Sequence, residues 1–163
     1  MVLRIQVARV EAHQIRASAA LACLAADPAP SPRRALHFKK QIDRDIHAIE
    51  RERMPWAAAL AALLRAGLAA LQPDPKDTSK ALQAAITGLR AADMALHAAI
   101  AERYLGHLEG GEIGARRHHA ADAWIRAQGV LRPDRLALAL APGLAVPAPS
   151  PLDALAQLRD RTA

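Results

Sequence analysis

The sequence is poor in aromatic residues and in β-branched residues. Only 2% of its 163 residues are aromatic, whereas 52% are hydrophobic and about a quarter are alanine. Alanine favours helices and is depleted from strands, so we expect an all-α chain with essentially no strands. A core with few large rings has to be formed by closely packed helices, and the chain is long enough for one such domain.

The chain also has few features of a secreted or membrane protein. Its single cysteine, Cys23, excludes an internal disulfide and fits a reducing compartment. No stretch reaches the ~20 apolar residues of a membrane span, and the apolar run before Cys23 is too short for a signal peptide. We therefore expect a cytoplasmic protein without membrane contact. Cys23 lies in an apolar stripe, which predicts a buried, inert thiol.

No motif for catalysis or cofactor binding is found. Asp43 and Asp45 are two residues apart and lie on different faces of a helix, so they do not form a facing carboxylate pair. The histidines lack the spacing and the acidic partner of a metal site. These histidines are His97, His107, His118 and His119. We expect a non-catalytic protein without metal, cofactor or catalytic residues.

The formal net charge is +6. Acidic residues are interleaved with the arginines, as in residues 43–45 and 50–53, which indicates solvated helix faces rather than one basic surface. Residues 116–119, Arg-Arg-His-His, fit an exposed helix edge better than an anion site. The alternative is a basic helical protein that binds nucleic acid, motivated by Arg33, Arg34, Lys39 and Lys40.

Apolar periodicity and stop signals predict a series of helices. The first covers residues 2–26, the second starts at Ser31-Pro32 and ends near Arg53, and the third starts at Pro55 and ends before Pro73. The fourth is capped by Thr78 or Ser79, and a short helix covers residues 132–141. The third helix is apolar on nearly all sides, so we expect it to be central.

The segment from Asp93 to Gly129 is the clearest helical hairpin in the sequence. Gly110-Gly111 supplies the turn, and Gly129 ends the second helix of the pair. The inner face of that helix is predicted to carry Ile113, Ala120, Trp124 and Ala127. The indole of Trp124 is then the largest side chain between the two helices.

The first helix has two apolar faces. One carries Ile5, Ala8, Ala12, Ile15, Ala19 and Ala22, and the other carries Leu3, Val7 and Val10. Only one face can pack on the second helix, so the other predicts a homodimer through residues 2–15. The helix follows Met1 without a capping residue, and we expect the chain to begin inside a larger architecture.

A spacing of four and then three residues recurs in alternate helices. It joins Ile42, Ile46 and Ile49 in the second helix, Ala85, Leu89 and Ala92 in the fourth, and Ala120, Trp124 and Ala127 in the sixth. The offsets of 43 and 35 residues lie in the range of helical-hairpin repeats. The pattern favours a degenerate tetratricopeptide-like array over a non-repeating bundle.

Several segments carry a family resemblance. They are residues 54–56, 63–67, 92–97, 109–112, 121–124 and 141–143, of which Ala-Asp-Ala-Trp and Ala-Pro-Gly are the most specific. Over roughly residues 5–145 the chain resembles the C-terminal helical-repeat region of large bacterial serine/threonine protein kinases. The kinase motifs themselves are absent from the sequence. The resemblance implies a sensory or partner-docking tail, or a free-standing relative.

The sequence predicts two parts. Residues 1–142 form the helical-repeat domain, and residues 143–163 form a proline-rich linker with a short tail helix that carries Leu152, Leu155 and Leu158. The expected function is protein–protein interaction, in which a concave groove of stacked hairpins binds a partner segment.

Overall fold

The computed structural model describes residues 5–27, 29–72 and 75–144, and these residues form seven helices and no strand. The helices are α1 (Gln6–Ala25), α2 (Pro32–Glu50), α3 (Pro55–Ala70), α4 (Pro75–Ala91), α5 (Ala95–Glu109), α6 (Gly111–Ala127) and α7 (Pro133–Leu140). They pack pairwise, α1 with α2, α3 with α4, and α5 with α6, and α7 contacts α5 and α6. The prediction of an all-α array of helix pairs is confirmed.

Local sequence signals set most helix ends. The side chain of Ser31 caps α2 by accepting a hydrogen bond from the backbone N–H of Arg34, as its position before Pro32 predicts. Gly110 and Gly129 have positive φ angles of 61° and 85° and follow α5 and α6. Two predicted ends were wrong. Helix α2 ends at Glu50, and α4 begins at Pro75, so Thr78 is buried inside the helix instead of capping it.

Helix α3 is central, as predicted. Its buried residues lie on several faces and belong to two clusters. Ala57, Leu60, Ala61 and Leu64 pack with α1 and α2. Ala59, Leu63 and Ala66 pack with α4, α5, α6 and residues 137–144. Because one helix serves both clusters, the pairs form one continuous core.

The predicted inner face of α6 was wrong. Ile113 is 65% exposed and Trp124 is 38% exposed, while the alanines predicted beside them are exposed too. The fully buried Ile125 takes the inner position instead. The reason lies at Gly106 of α5 and Gly114 of α6, where a Cβ on Gly106 would come within 2.6 Å of the carbonyl oxygen of Gly114. This backbone approach fixes the rotation of α6.

The inner face of α6 is also partly polar. Arg103 Nε donates to Asp122 Oδ1 over 2.7 Å, and both side chains are buried. His118 Nδ1 lies 3.0 Å from the carbonyl oxygen of Arg103. Since these buried groups satisfy one another, the helix can place charges inward and apolar residues outward. The apolar stripe in the sequence of α6 therefore predicted the wrong buried face.

The first helix is rotated in the same way. Its buried residues are Val10, Ala17, Ala20, Leu21 and Leu24, whereas most of the predicted stripe is exposed, Ile15 at 69%. Cys23 is exposed, so the prediction of a buried thiol was wrong. Polar contacts of α1 with α2 set this orientation and are described with the site below.

The repeat positions predicted in the sixth helix were wrong, because Ala120, Trp124 and Ala127 are exposed, and a different buried spacing recurs. Inward positions with the spacing i, i+3, i+4, i+7 recur in the second helix of each pair. They are Ile42, Asp45, Ile46 and Ile49 in α2; Leu82, Ala85, Ile86 and Leu89 in α4; and His118, Ala121, Asp122 and Ile125 in α6. The offsets are 40 and 36 residues, which replace the 43 and 35 expected from the sequence.

Candidate functional site

A groove runs between α1 on one side and α7 with the residues after it on the other. Its volume is about 540 Å³. Apolar side chains of Ile15, Ala19 and Ala22 line the α1 wall, and Leu138 and Pro142 belong to the opposite wall. Since Ile15 and Leu138 are exposed, the groove presents apolar surface to solvent. We call it the α1–α7 groove.

Polar contacts hold α1 to α2 at its N-terminal end. Arg9 Nε and Glu52 Oε1 are 2.7 Å apart, and Gln6 donates to the backbone oxygen of Glu52 over 2.9 Å. Val10 is buried between these contacts and the next cluster of polar residues. The side of α1 that faces α2 is thereby occupied, and the opposite side is left for the groove.

Asp45 of α2 is the centre of that next cluster and is fully buried. Its carboxylate accepts hydrogen bonds from Arg16 and from Gln41, the latter over 2.7 Å, and it lies 2.8 Å from His13 Nδ1. Burial alone would raise the pKa of Asp45, but the hydrogen bonds from Arg16, His13 and Gln41 outweigh it and lower the pKa. Asp45 is therefore ionised at neutral pH and fixes the rotation of α1.

The far wall of the groove is attached to α3 through two glycines. Gly143, with φ 91°, approaches Gly67 so closely that a Cβ on Gly143 would come within 2.9 Å of the Gly67 carbonyl oxygen. Leu144 is buried in the core next to this contact. A Cβ on Gly67 would also lie 3.1 Å from the Pro142 oxygen and 3.3 Å from Leu21 of α1. Close backbone packing thus joins the two walls at this end.

The groove offers a few polar groups beside its apolar walls. Glu11, Gln14 and Ser18 lie along α1, and His97 reaches the groove from α5. Burial lowers the pKa of His97 below its ordinary value of 6.5, so its ring is neutral at pH 7. A neutral imidazole can both donate and accept a hydrogen bond. The groove can therefore bind apolar side chains and orient them with a small number of hydrogen bonds.

A second, smaller cavity lies beside Trp124. Its volume is about 290 Å³, and alanines of α5 and α6 form much of its lining. Arg90 and Glu102, which also line it, form an ion pair. Trp124 is therefore a wall of a surface cavity and not the predicted contact between α5 and α6. The α1–α7 groove is larger than this cavity and is lined by the exposed apolar residues Ile15 and Leu138, which makes it the stronger candidate of the two.

The structure separates the residues singled out in the sequence. His97 lies in the α1–α7 groove, whereas His107 and His119 are exposed and His118 points into the α5–α6 pair. In residues 5–27, 29–72 and 75–144, no group of three or more potential metal ligands occurs. Arg116 and His119 are exposed, as the predicted helix edge requires, whereas His118 is half-buried. Arg116 pairs with Glu112 of its own helix.

Most of the arginines in the described part of the chain are ion-paired. At least ten arginines of the described part form ion pairs with acidic residues. They include the buried Arg103 and the exposed Arg65, which pairs with Glu50 over 2.9 Å. The interleaving of charges in the sequence corresponds to these pairs.

Sequence reasoning predicted a groove but assigned no residue to it, and Ile15, Ala19 and Ala22 were named only as part of an apolar stripe of the first helix. The two apolar faces of the first helix were the available signal, because one of them had to remain uncovered. Leu138 and His97 could not be assigned, since they meet α1 only through the packing of distant pairs. No protein-family model, curated protein or solved structure matches the chain. Among the described helices, none is long and apolar enough to cross a membrane.

Proposed function

We propose that the protein is a non-catalytic interaction module whose α1–α7 groove binds an amphipathic helical segment of a protein partner. The observation that carries this proposal is the groove itself, an apolar channel with exposed Ile15 and Leu138 and few polar groups. Helix-in-groove recognition requires such a surface, since apolar residues of the bound helix at i, i+3, i+4 and i+7 need apolar walls.

The dimensions of the groove suit a helix. From Glu11 to Ala22 its wall follows α1 for about 16 Å, or roughly three turns, at 1.5 Å per residue. Because the side chains of Ala19 and Ala22 are small, the backbone of a bound helix can approach α1 closely. Glu11, Gln14 and Ser18 border the apolar strip and can select the polar residues of the ligand.

Selection from a displayed library of random amphipathic peptides tests the proposal. We expect enriched sequences with apolar residues at helical spacing. Their affinity should fall at least ~10-fold in Ala19→Arg, where a long charged side chain replaces a small one in the wall. The matched control is Ala84→Arg, which makes the same change at an exposed position of α4. Failure to enrich peptides, or equal affinity for both variants, would contradict the proposal.

The link to kinases is a further part of this proposal. It rests on the segments that resemble the repeat region of bacterial serine/threonine kinases, in which such a module would act as a sensory or docking tail. Detection of the partner by groove-directed crosslinking in the source cell would test it. A partner unrelated to phosphorylation signalling would count against the link and leave the groove proposal intact.

Nucleic-acid binding has less support, because at least ten arginines of the described part already pair with carboxylates. Of the four basic residues that motivated this alternative, Arg34 pairs with Asp27, whereas Arg33, Lys39 and Lys40 form no ion pair in the described part. If such binding occurred, affinity for DNA or RNA would fall steeply with salt.

Self-association through residues 2–15 stays a prediction, supported by the exposure of Ile5 and Val7. The proper test is sedimentation of Val7→Glu against the wild type. Val10 is in the core, so its substitution would disturb the fold instead.

A further inference from the structure

We propose that the α1–α7 groove is occupied in the free chain by the chain's own C-terminal segment, residues 150–161, which a partner has to displace. This inference rests on the proposed function, since it names an occupant of the same groove. It is carried by three observations: where the described chain ends, which residues follow, and how charge is placed along α1.

The segment begins at the wall of the groove. Pro142 lines the groove, and Leu144, the last described residue, is buried in the core two positions later. Residues 145–163 therefore start from a fixed point beside the apolar walls. A tethered segment of this kind has an effective concentration of about millimolar, so an intrinsic dissociation constant of about 0.1 mM is enough to fill the groove in roughly nine of ten molecules.

The residues that follow suit a helix that needs a surface. Leu152, Leu155 and Leu158 have a spacing of three and define one apolar side. A helix of two turns is marginal in water and requires an apolar partner surface. The seven residues 145–151 have a reach of up to about 20 Å, at roughly 3.1 Å per residue, so the leucines can be placed at any point along the groove.

Charge favours one direction of binding. Pro142 lies near Leu21, at the C-terminal end of α1, because both approach Gly67. The exposed carboxylate of Glu11 is at the other end of the groove. A segment that runs from the Leu21 end towards Glu11 brings Arg159 close to an opposite charge. The leucine stripe fits the groove in either direction, so the net positive charge of residues 159–161 facing Glu11 sets the orientation.

A spin label on Cys23 of the intact chain tests this inference. Cys23 is the single cysteine, it is exposed, and it follows the groove residue Ala22. We expect the amide signals of residues 152–158 to lose most of their intensity through paramagnetic relaxation, and to recover it in Ala19→Arg but not in Ala84→Arg. A label moved to exposed Gln83 of α4, in a chain with Cys23→Ser, should leave these signals sharp.

Several outcomes overturn the inference. If the label on Cys23 leaves residues 152–158 unaffected, the segment does not occupy the groove. If the loss of intensity arises only when labelled and isotope-enriched chains are mixed, the occupant is a second copy. The intact chain is used throughout, and its fold is verified by the spectrum of residues 5–144.

A second measurement separates this inference from the proposed function. Leu155→Asp should raise the affinity of a library-selected peptide by about 10-fold or more, because the competing segment no longer fills the groove. An unchanged affinity contradicts occupation by the tail but leaves peptide binding intact. Absence of peptide binding to either chain, together with relaxation of the tail signals by the label, would contradict only the proposed function.

Discussion

Replacement of Ile125 by alanine tests the rotation of α6, the element whose face the sequence misidentified. Ile125 is fully buried. The change removes three carbon atoms, and at about 0.8 kcal/mol for each the loss of burial is about 2.4 kcal/mol. Because the backbone contact at Gly106 and Gly114 limits how far α6 can move towards α5, we expect the cavity to collapse only in part. The total cost should therefore be about 3–4 kcal/mol, within the range for such deletions in cores.

Ile113→Ala is the matched control, since it makes the same chemical change in the same helix at a residue that is 65% exposed. Its effect should stay within about 0.5 kcal/mol, helped by the higher helix propensity of alanine. Urea unfolding followed by circular dichroism gives both values, provided that the slope with denaturant is unchanged. Equal costs, or a larger cost for Ile113, would refute the assigned rotation and restore the stripe predicted from the sequence.

Three further predictions test other parts of the fold. Gly106→Ala should destabilise the protein by about 1–3 kcal/mol through overpacking. Gly88→Ala is the control, because a Cβ there would lie 3.6 Å from its nearest neighbour. It should stabilise the protein by up to about 1 kcal/mol in thermal unfolding. Asp45→Asn should cost about 1–3 kcal/mol at pH 7. Folding lowers the pKa of Asp45, so the stabilisation by its carboxylate is present above the unfolded pKa and is lost as the pH falls through the folded pKa. Asp45→Asn should therefore remove this part of the acid dependence of the unfolding free energy. The control Asp43→Asn, at an exposed residue, should keep it. Folding also lowers the pKa of His97, so the unfolded chain binds more protons below pH 6.5 and the free energy of unfolding decreases as the pH falls. His97→Gln should make this decrease smaller. Unfolding measured from pH 7 down to the lowest pH at which the protein is folded gives the comparison.

The amino-acid composition and the residues that mark helix ends predicted the architecture well. Abundant alanine and scarce aromatic residues lead to closely packed helices, and Ser31-Pro32, Gly110 and Gly129 mark helix ends by local geometry. These signals depend on neighbouring residues alone, which is why they can be interpreted without tertiary contacts. The central position of α3 followed from apolar residues on all its sides.

The rotation of α1 and α6 was not predictable from apolar stripes. In α6 the buried side includes Asp122, which pairs with Arg103 of α5. In α1 the exposed Arg16 reaches the buried Asp45 of α2. Pairing of this kind depends on tertiary structure. A prediction from the apolar residues of one helix alone therefore assigns the wrong side of that helix to the core. The paired glycines 106 and 114 were the one local hint, since glycine inside a helix of an alanine-rich chain often marks a close backbone approach.

The most direct test of the account is a map of backbone amide chemical shifts while a library-selected peptide is added to the intact chain. We expect the largest shifts at residues 11–22 and 138–142, with saturation at a common affinity. Largest shifts around Trp124 and Glu102 instead would place binding at the smaller cavity. That result, or shifts spread evenly over the surface, would contradict the claim that the α1–α7 groove is the binding site.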